Sequence, residues 1–97
     1  MVNYSLSGKA SKDITGIYIF SIRNFGLKQA KKNINELEAF FIELSTRPEL
    51  SKDASLFAYN LKYYNYKSHV IFYIYTKKNS ILIVRVLGKH MDFIQHL

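Results

Sequence analysis

The chain has 97 residues, of which 48% are hydrophobic and 22% charged, so it is one small folded domain and too apolar for a disordered segment. It contains no Cys, which excludes a disulfide framework and a thiolate metal site. The net charge is +7, and residues 54–97 carry six basic side chains against one acidic one. This half of the chain is expected to attract an acidic protein or a phosphate backbone. No signal peptide or membrane-spanning run is evident, so we expect a single cytoplasmic domain over residues 1–97 with no membrane partner.

Hydrophobic periodicity divides the N-terminal part into a strand and a helix. The alternation in Val2–Leu6 predicts a short edge strand, and Ser7 is a typical helix N-cap. Apolar residues at helical spacing predict a first helix from Lys9 to about Asn24, with Gly26 as its stop. Gly16 lies inside this helix at a cost of roughly 1 kcal/mol relative to Ala. A close helix–helix approach is therefore expected at Gly16.

The second helix has the clearest pattern in the chain. Its apolar residues recur at spacings of four, three, four and three, an unbroken amphipathic stripe formed by Ala30, Ile34, Leu37, Phe41 and Leu44. Pro48 ends this helix. Because the junction between the two helices is short, they are expected to form an antiparallel hairpin.

The C-terminal half is dominated by strand patterns. After a loop at Glu49–Tyr59, strands are predicted at Leu61–Tyr66, His69–Lys77 and Ser80–Leu87, joined by turns short enough for antiparallel hairpins. The last strand is apolar on both faces, with Leu82, Val84 and Val86 on one side and Ile81, Ile83 and Leu87 on the other. This pattern is typical of a central strand covered on both sides. A helical turn at His90–Leu97 ends the chain.

These elements predict an α+β fold in the order β-αα-βββ-α. The sheet is expected to be antiparallel, with the N-terminal helical hairpin packed on one of its faces.

Short motifs follow one another in order along nearly the whole chain: Tyr4-Ser5-Leu6-Ser7, Phe25-Gly26, Arg47-Pro48-Glu49-Leu50, Ser68–Tyr73 and Arg85-Val86-Leu87, then Met91-Asp92 and His96-Leu97. In their order and near-gapless spacing they resemble the ParE toxin family of the ParE/RelE toxin–antitoxin superfamily. This resemblance implies the toxin of a type II toxin–antitoxin system that binds and blocks DNA gyrase. It implies no catalytic activity and no cofactor. The expected partner is a cognate antitoxin, acidic and partly disordered until it binds, in a hetero-oligomer with the toxin.

The chain departs from the family pattern at three positions. Gly88 stands where His is common, His90 where Arg is common, and Lys62 where Arg is frequent. Arg is not equivalent to Lys or His in bidentate recognition. The departures therefore leave open a homologue of reduced potency that acts only as an antitoxin-binding partner.

The sibling RelE branch offers an enzymatic alternative, a ribosome-dependent mRNA endonuclease. Such a reaction needs a base, an acid and cations around the phosphate. Arg85 and Lys62 are candidates for the cations, and His69 and His90 for the acid and base, but Val70 follows His69 where Arg is frequent, and no Tyr follows Arg85. The set is incomplete, so gyrase remains the preferred target over the ribosome.

The candidate target-binding residues are cations near the C-terminal end of the sheet. They are Arg85, Lys89 and His90, with Lys62 and Lys67 contributing positive field. No catalytic residue is assigned, because the nuclease set is incomplete. No metal-binding residue is assigned, because His90 and His96 are too far apart for a helical metal pair. The tyrosines of the predicted strands are interpreted chiefly as core and cross-strand packing residues.

The helical hairpin carries more apolar side chains than its stripes require. Phe20, Ile22, Phe40 and Ile42 lie off these stripes. Surplus apolar surface on a small domain indicates a partner. We therefore predict that these four residues bind the antitoxin, whose C-terminal segment would fold onto a hydrophobic groove of the toxin.

Overall fold

The structure, a computed structural model, describes residues 3–89 and residue 97. A short strand β1 (Tyr4–Leu6) precedes two helices, α1 (Gly8–Phe25) and α2 (Leu27–Thr46). A 3-10 turn at Pro48–Leu50 leads to four strands: β2 (Lys52–Asp53), β3 (Lys62–Tyr66), β4 (His69–Lys77) and β5 (Ser80–Gly88). The predicted helical turn at His90–Leu97 lies outside the described residues, apart from Leu97.

The strands form one sheet in the order β1-β5-β4-β3-β2. The predicted α+β class is confirmed, with two differences in detail. β1 pairs parallel with β5 rather than antiparallel, which the long connection through the helical hairpin and the other strands permits. The second difference is the two-residue strand β2. It lies inside the segment predicted as a loop and pairs with Lys62 and Tyr63 of β3.

Local signals set both ends of the helical hairpin. The Ser7 hydroxyl oxygen accepts a hydrogen bond from the Ala10 amide at 3.0 Å, which confirms the predicted N-cap. Gly26 joins the helices alone, with a φ of +88° that favours glycine. The prediction for Gly16 was wrong, because the position is exposed and a Cβ added there would meet no atom within 4 Å. α2 ends at Thr46, since the residue before Pro48 is disfavoured in helical conformation.

The hairpin packs on one face of the sheet and forms the main core. Four residues of the helices (Ala10, Leu37, Phe41 and Leu44) pack with five of the strands (Ile71, Tyr73, Ile81, Ile83 and Val86). The opposite face has a smaller cluster formed by Ala54, Leu61, Val70, Phe72 and Leu87. Because β5 contributes to both clusters and lies between β1 and β4, its predicted central position is confirmed.

A β-bulge changes the predicted faces of β5. Pairing with β4 passes from Phe72–Arg85 to Tyr73–Ile83, so Val84 is an extra residue on β5. The alternation therefore reverses at this point. Val86 faces the helices with Ile81 and Ile83, whereas Leu87 lies on the opposite face with Val84. The sequence-based assignment of Val86 and Leu87 to faces was wrong for this reason.

Candidate interaction surfaces

The first two turns of α1 complete the edge of β5 where β1 ends. β1 pairs only with Ile81–Ile83. Beyond it, the Ser7 hydroxyl donates to the Val84 carbonyl at 2.7 Å, and the Val86 amide donates to the Asp13 carboxylate at 3.0 Å. Side chains from α1 and its cap thus replace a strand partner and satisfy backbone groups that would otherwise lie unpaired.

Arg85 belongs to the same arrangement. Its Nε and Nη2 atoms each donate to a carboxylate oxygen of Asp13 at 2.8 Å, a bidentate pair in which both side chains are 13% exposed. The hydrogen bonds from Arg85 to Asp13 raise the pKa of the guanidinium above its ordinary value. A guanidinium fixed in this way ties the bulged strand to α1. Nothing in the sequence pattern assigned Asp13 this role, although its position one residue before Ile14 places it beside the buried face of α1.

A groove of about 700 Å³ lies beside this ion pair, between the helical hairpin and one end of the sheet. We call it the hairpin groove; its lining includes Gly16 and Phe20 of α1, Ile34 and Leu37 of α2, the turn Tyr66–His69 and the strand end Val86–Gly88. Much of its lining is apolar, and its charged lining residues are Lys12, Lys67 and Asp13. Asp13 is paired with Arg85 and Lys67 with Glu36, which leaves Lys12 as the cation of the groove outside these two ion pairs. Gly16 lines this groove, and the space beside it would accept a side chain.

The four predicted antitoxin-binding residues have different environments. Phe20 is 62% exposed and lines the hairpin groove. Phe40 is half-buried, with its ring stacked on Tyr66 at 4.7 Å between centroids and inclined to Tyr64 at 5.0 Å. Ile22 is half-buried and Ile42 is exposed, and neither lines the groove.

The predicted target-binding cations are brought together only in part. The Lys89 amide, directly after β5, donates to the Ser68 carbonyl at 3.1 Å, so Lys89 lies beside the β3–β4 turn that contains Lys67. Lys67 forms an exposed 3.2 Å ion pair with Glu36, which raises the pKa of the Lys67 ammonium. Lys62 is half-buried at the opposite end of β3. His90 lies outside the described residues.

The tyrosines of the strands pack as predicted. Tyr64, Tyr66 and Tyr75 border the main core, and Tyr63 borders the smaller one. Tyr73 is fully buried, which raises the pKa of its hydroxyl. His69, an acid–base candidate under the nuclease alternative, has its ring Nδ1 3.3 Å from the Ser68 hydroxyl.

Two further observations concern the class of site. No helix among residues 3–89 is long and apolar enough to cross a membrane. Within the described part of the chain, no three His, Asp or Glu side chains are placed to hold a metal ion.

The architecture matches a solved structure of the chromosomal ParDE TA system from P. aeruginosa. The TM-score is 0.72 at 16% sequence identity, over 91% of this chain and 96% of that chain. The class is thus α+β, with two helices packed on a five-stranded mixed sheet. Comparison with curated proteins finds no match. The family model described as "ParE toxin of type II toxin-antitoxin system, parDE" matches residues 4–93, and the chain therefore belongs to the ParE toxin family. The predicted family is confirmed.

Proposed function

We propose that this ParE toxin acts by binding DNA gyrase and arresting its catalytic cycle, without catalysis of its own, and that a cognate antitoxin neutralises it. The proposal rests on family membership and on the charge and groove of the described surface. Lys67 in the β3–β4 turn and Lys89 beside it are both basic and exposed, and this surface suits contact with an acidic protein.

The observation that favours protein binding over RNA cleavage is the engagement of Arg85. A nuclease would need this guanidinium as a phosphate clamp. Here the Nε and Nη2 atoms of Arg85 both donate to the Asp13 carboxylate, and the side chain is 13% exposed. Using it on a phosphate would mean leaving the Asp13 carboxylate without its cation, which is unfavourable at a buried site. We therefore assign Arg85 the task of holding the end of β5, from which Lys89 and His90 contact the target, with Lys67 beside them and Lys62 adding positive field.

The target is tested by two assays run side by side. Purified toxin is added to a gyrase supercoiling reaction and to ribosomes programmed with mRNA. We expect loss of supercoiling with accumulation of cleaved DNA and intact mRNA. Codon-positioned mRNA cuts with normal gyrase activity would instead place the protein with the ribosome-dependent nucleases.

The basic surface is tested with variants matched in charge. Lys67→Ala with Lys89→Ala should weaken gyrase inhibition, because both positive charges leave the proposed contact. Lys28→Ala with Lys31→Ala removes the same net charge from exposed positions of α2 and serves as the control. Equal inhibition by the two double variants would contradict a target contact at Lys67 and Lys89.

The hairpin groove is the proposed site of the antitoxin segment. It combines apolar lining residues with the positively charged Lys12, which suits an acidic amphipathic peptide. Phe20 lies in this groove, so among the four predicted contacts it is the strongest candidate; Ile22, Phe40 and Ile42 would contact other parts of a wrapped antitoxin. Exposed apolar side chains also predict that the toxin self-associates when expressed alone and becomes soluble on co-expression with antitoxin.

A side chain placed at Gly16 tests the groove. Gly16→Leu projects into open space, so the fold should persist while antitoxin affinity falls. Thr15→Leu adds a Leu at the neighbouring exposed position of α1, outside the groove, and should leave affinity unchanged. Equal antitoxin affinity of the two variants in a titration would exclude the groove as the binding site.

A further inference from the structure

The loop between β2 and β3, residues 54–61, is a compact and internally bonded protrusion. The Ala54 amide donates to the Leu61 carbonyl at 2.9 Å and closes the base of the loop. Within it, the Phe57 amide donates to the Ala54 carbonyl at 3.0 Å, and the Leu61 amide to the Ala58 carbonyl at 3.1 Å. A loop that bonds to itself in this way has little conformational freedom to lose when it binds.

Side chains at the base fix the loop to the sheet. Ala54 and Leu61 are buried in the smaller core, and the Phe57 ring packs edge-on against Phe72 at 6.2 Å between centroids. The Asp53 carboxylate accepts hydrogen bonds from both the amide and the hydroxyl of Ser55, each at 3.0 Å. The loop therefore has a defined position on the face of the sheet opposite the helical hairpin.

This fixed loop holds two large apolar side chains in solvent. Leu56 is 92% exposed and Tyr59 is 88% exposed, the highest values among the exposed large hydrophobic residues. Neither contributes to the two core clusters. Asn60 beside them has a φ of +59°, a conformation that non-glycine residues adopt rarely. Exposed apolar residues held on an internally bonded loop, outside both core clusters, can act as binding anchors, and Tyr is one of the residue types enriched at such positions.

The loop is separate from the hairpin groove, since none of its residues lines that groove. A flexible acidic segment binds in a groove, whereas a convex protrusion requires a concave partner, which a folded protein provides. Lys52 and Lys62 lie at the base of the loop beside Asp53, which keeps its negative charge while it accepts hydrogen bonds from Ser55, so these three side chains carry a net charge of +1. The base of the loop is thus positively charged around an apolar tip.

We propose that the loop is a docking finger that inserts Leu56 and Tyr59 into an apolar pocket with an acidic rim on the folded target protein of the toxin. This inference rests on the proposed function, because it assumes a protein target. It assigns target binding to two places, Lys67 with Lys89 and this finger. Lys67 also lines the groove proposed for the antitoxin, whereas the finger lies outside that groove. A nucleic-acid partner fits less well, because single-stranded bases stack on aromatic or Arg side chains and Leu56 is aliphatic.

The test compares two double variants in three measurements. Leu56→Ala with Tyr59→Ala removes the apolar tip, and Ile19→Ala with Leu27→Ala removes exposed apolar side chains that lie outside both the finger and the groove. The measurements are growth arrest on induction at equal protein level, the toxin concentration that half-inhibits gyrase, and antitoxin affinity. For the finger variant, we expect growth arrest to be lost, the half-inhibiting concentration to rise about thirtyfold and antitoxin affinity to change less than about twofold. The control variant should match the wild type in all three.

Substitutions at Leu56 alone distinguish a pocket from a general change in the protein. Leu56→Met keeps the apolar volume and should retain inhibition, whereas Leu56→Asp places a negative charge against an acidic rim and should abolish it. Thermal unfolding should be the same for both, since Leu56 makes no core contact.

Several results would overturn the proposal. Undiminished growth arrest by the finger variant would do so, as would a loss of antitoxin affinity in place of target inhibition. If the finger variant keeps growth arrest but no longer self-associates, the finger binds a second toxin copy. If it keeps growth arrest but no longer binds nucleic acid, the finger binds nucleic acid. If wild-type toxin arrests growth but does not inhibit gyrase, the gyrase proposal fails, and the finger is judged by growth arrest and antitoxin affinity alone.

Discussion

Replacing Arg85 with Ala removes the cation that binds Asp13 and leaves a carboxylate, 13% exposed, with the Val86 amide as its remaining described donor. Breaking a buried ion pair by deleting one partner costs about 3–5 kcal/mol. Because this pair lies at a sheet edge and retains some exposure, we expect the lower end, about 3 kcal/mol. A domain of this length has roughly 5–15 kcal/mol of stability, so the loss is a substantial fraction of it.

The assay is urea unfolding of Arg85→Ala, Asp13→Ala and the double variant. The two single variants should each lose about 3 kcal/mol, and the double variant about 4 kcal/mol in place of the additive total of about 6 kcal/mol, which is a coupling energy of about 2 kcal/mol. In thermal unfolding, each single variant should melt about 12–24 °C below the wild type. Arg85→Lys keeps the charge without the bidentate geometry and should lie between Arg85→Ala and the wild type.

The outcome decides how any loss of toxicity in Arg85→Ala is understood. If Arg85→Ala loses about 3 kcal/mol of stability, its loss of toxicity follows from the damaged fold and not from a lost target contact. A coupling energy below about 0.5 kcal/mol would refute the structural role. An inactive Arg85→Ala toxin with wild-type stability would then identify Arg85 as a direct target contact.

Three further predictions use the same measurements. Tyr73→Phe should leave stability unchanged or raise it by up to about 1 kcal/mol, because no described residue forms a hydrogen bond of good geometry with the buried hydroxyl, which interacts only weakly with the Tyr75 hydroxyl; a loss above about 1 kcal/mol in urea unfolding would show that this interaction stabilises the fold. Phe40→Ala should cost about 2 kcal/mol through its lost ring contacts, whereas Phe20→Ala should leave stability within about 0.5 kcal/mol and weaken antitoxin binding; equal losses of stability would contradict this division. Hydrogen bonds from Ser55 lower the pKa of Asp53, so the stabilisation of the loop is complete above the ordinary Asp pKa of about 3.9 and is lost as the pH falls through the lower folded value. The NMR shift of the Ser55 amide should therefore titrate with a midpoint below about 3.9, and a midpoint at or above that value would show that the contact is absent.

Much of the fold could be predicted because its signals are local. The stripe on α2 has the helical period, and the strand predicted at His69–Lys77 has the bounds observed in the structure. Ser7 and Gly26 act within one helical turn of their own positions, so their roles follow from residue type and place. The family could be recognised for a related reason, since its motifs are short segments whose order and spacing survive in the sequence.

The candidate site was less predictable because it depends on contacts between distant residues. Phe20 could be singled out as surplus apolar surface, but only packing distinguishes it from Phe40, which two tyrosines cover. Leu56 and Tyr59 gave no signal, since apolar residues in a predicted loop are as easily buried as exposed. Their exposure depends on where Phe57 anchors the loop.

Sequence alone determined the helical hairpin, the three long strands, the basic C-terminal half and the family, because each depends on neighbouring residues or on composition. Only the tertiary structure decided the parallel pairing of β1, the bulge at Val84 and the groove beside Gly16. It also decided that Arg85 meets Asp13, a residue 72 positions away in the chain. An ion pair at that separation has no local period or spacing, and it forms because β1 ends early and leaves the edge of β5 open to the side chains of α1.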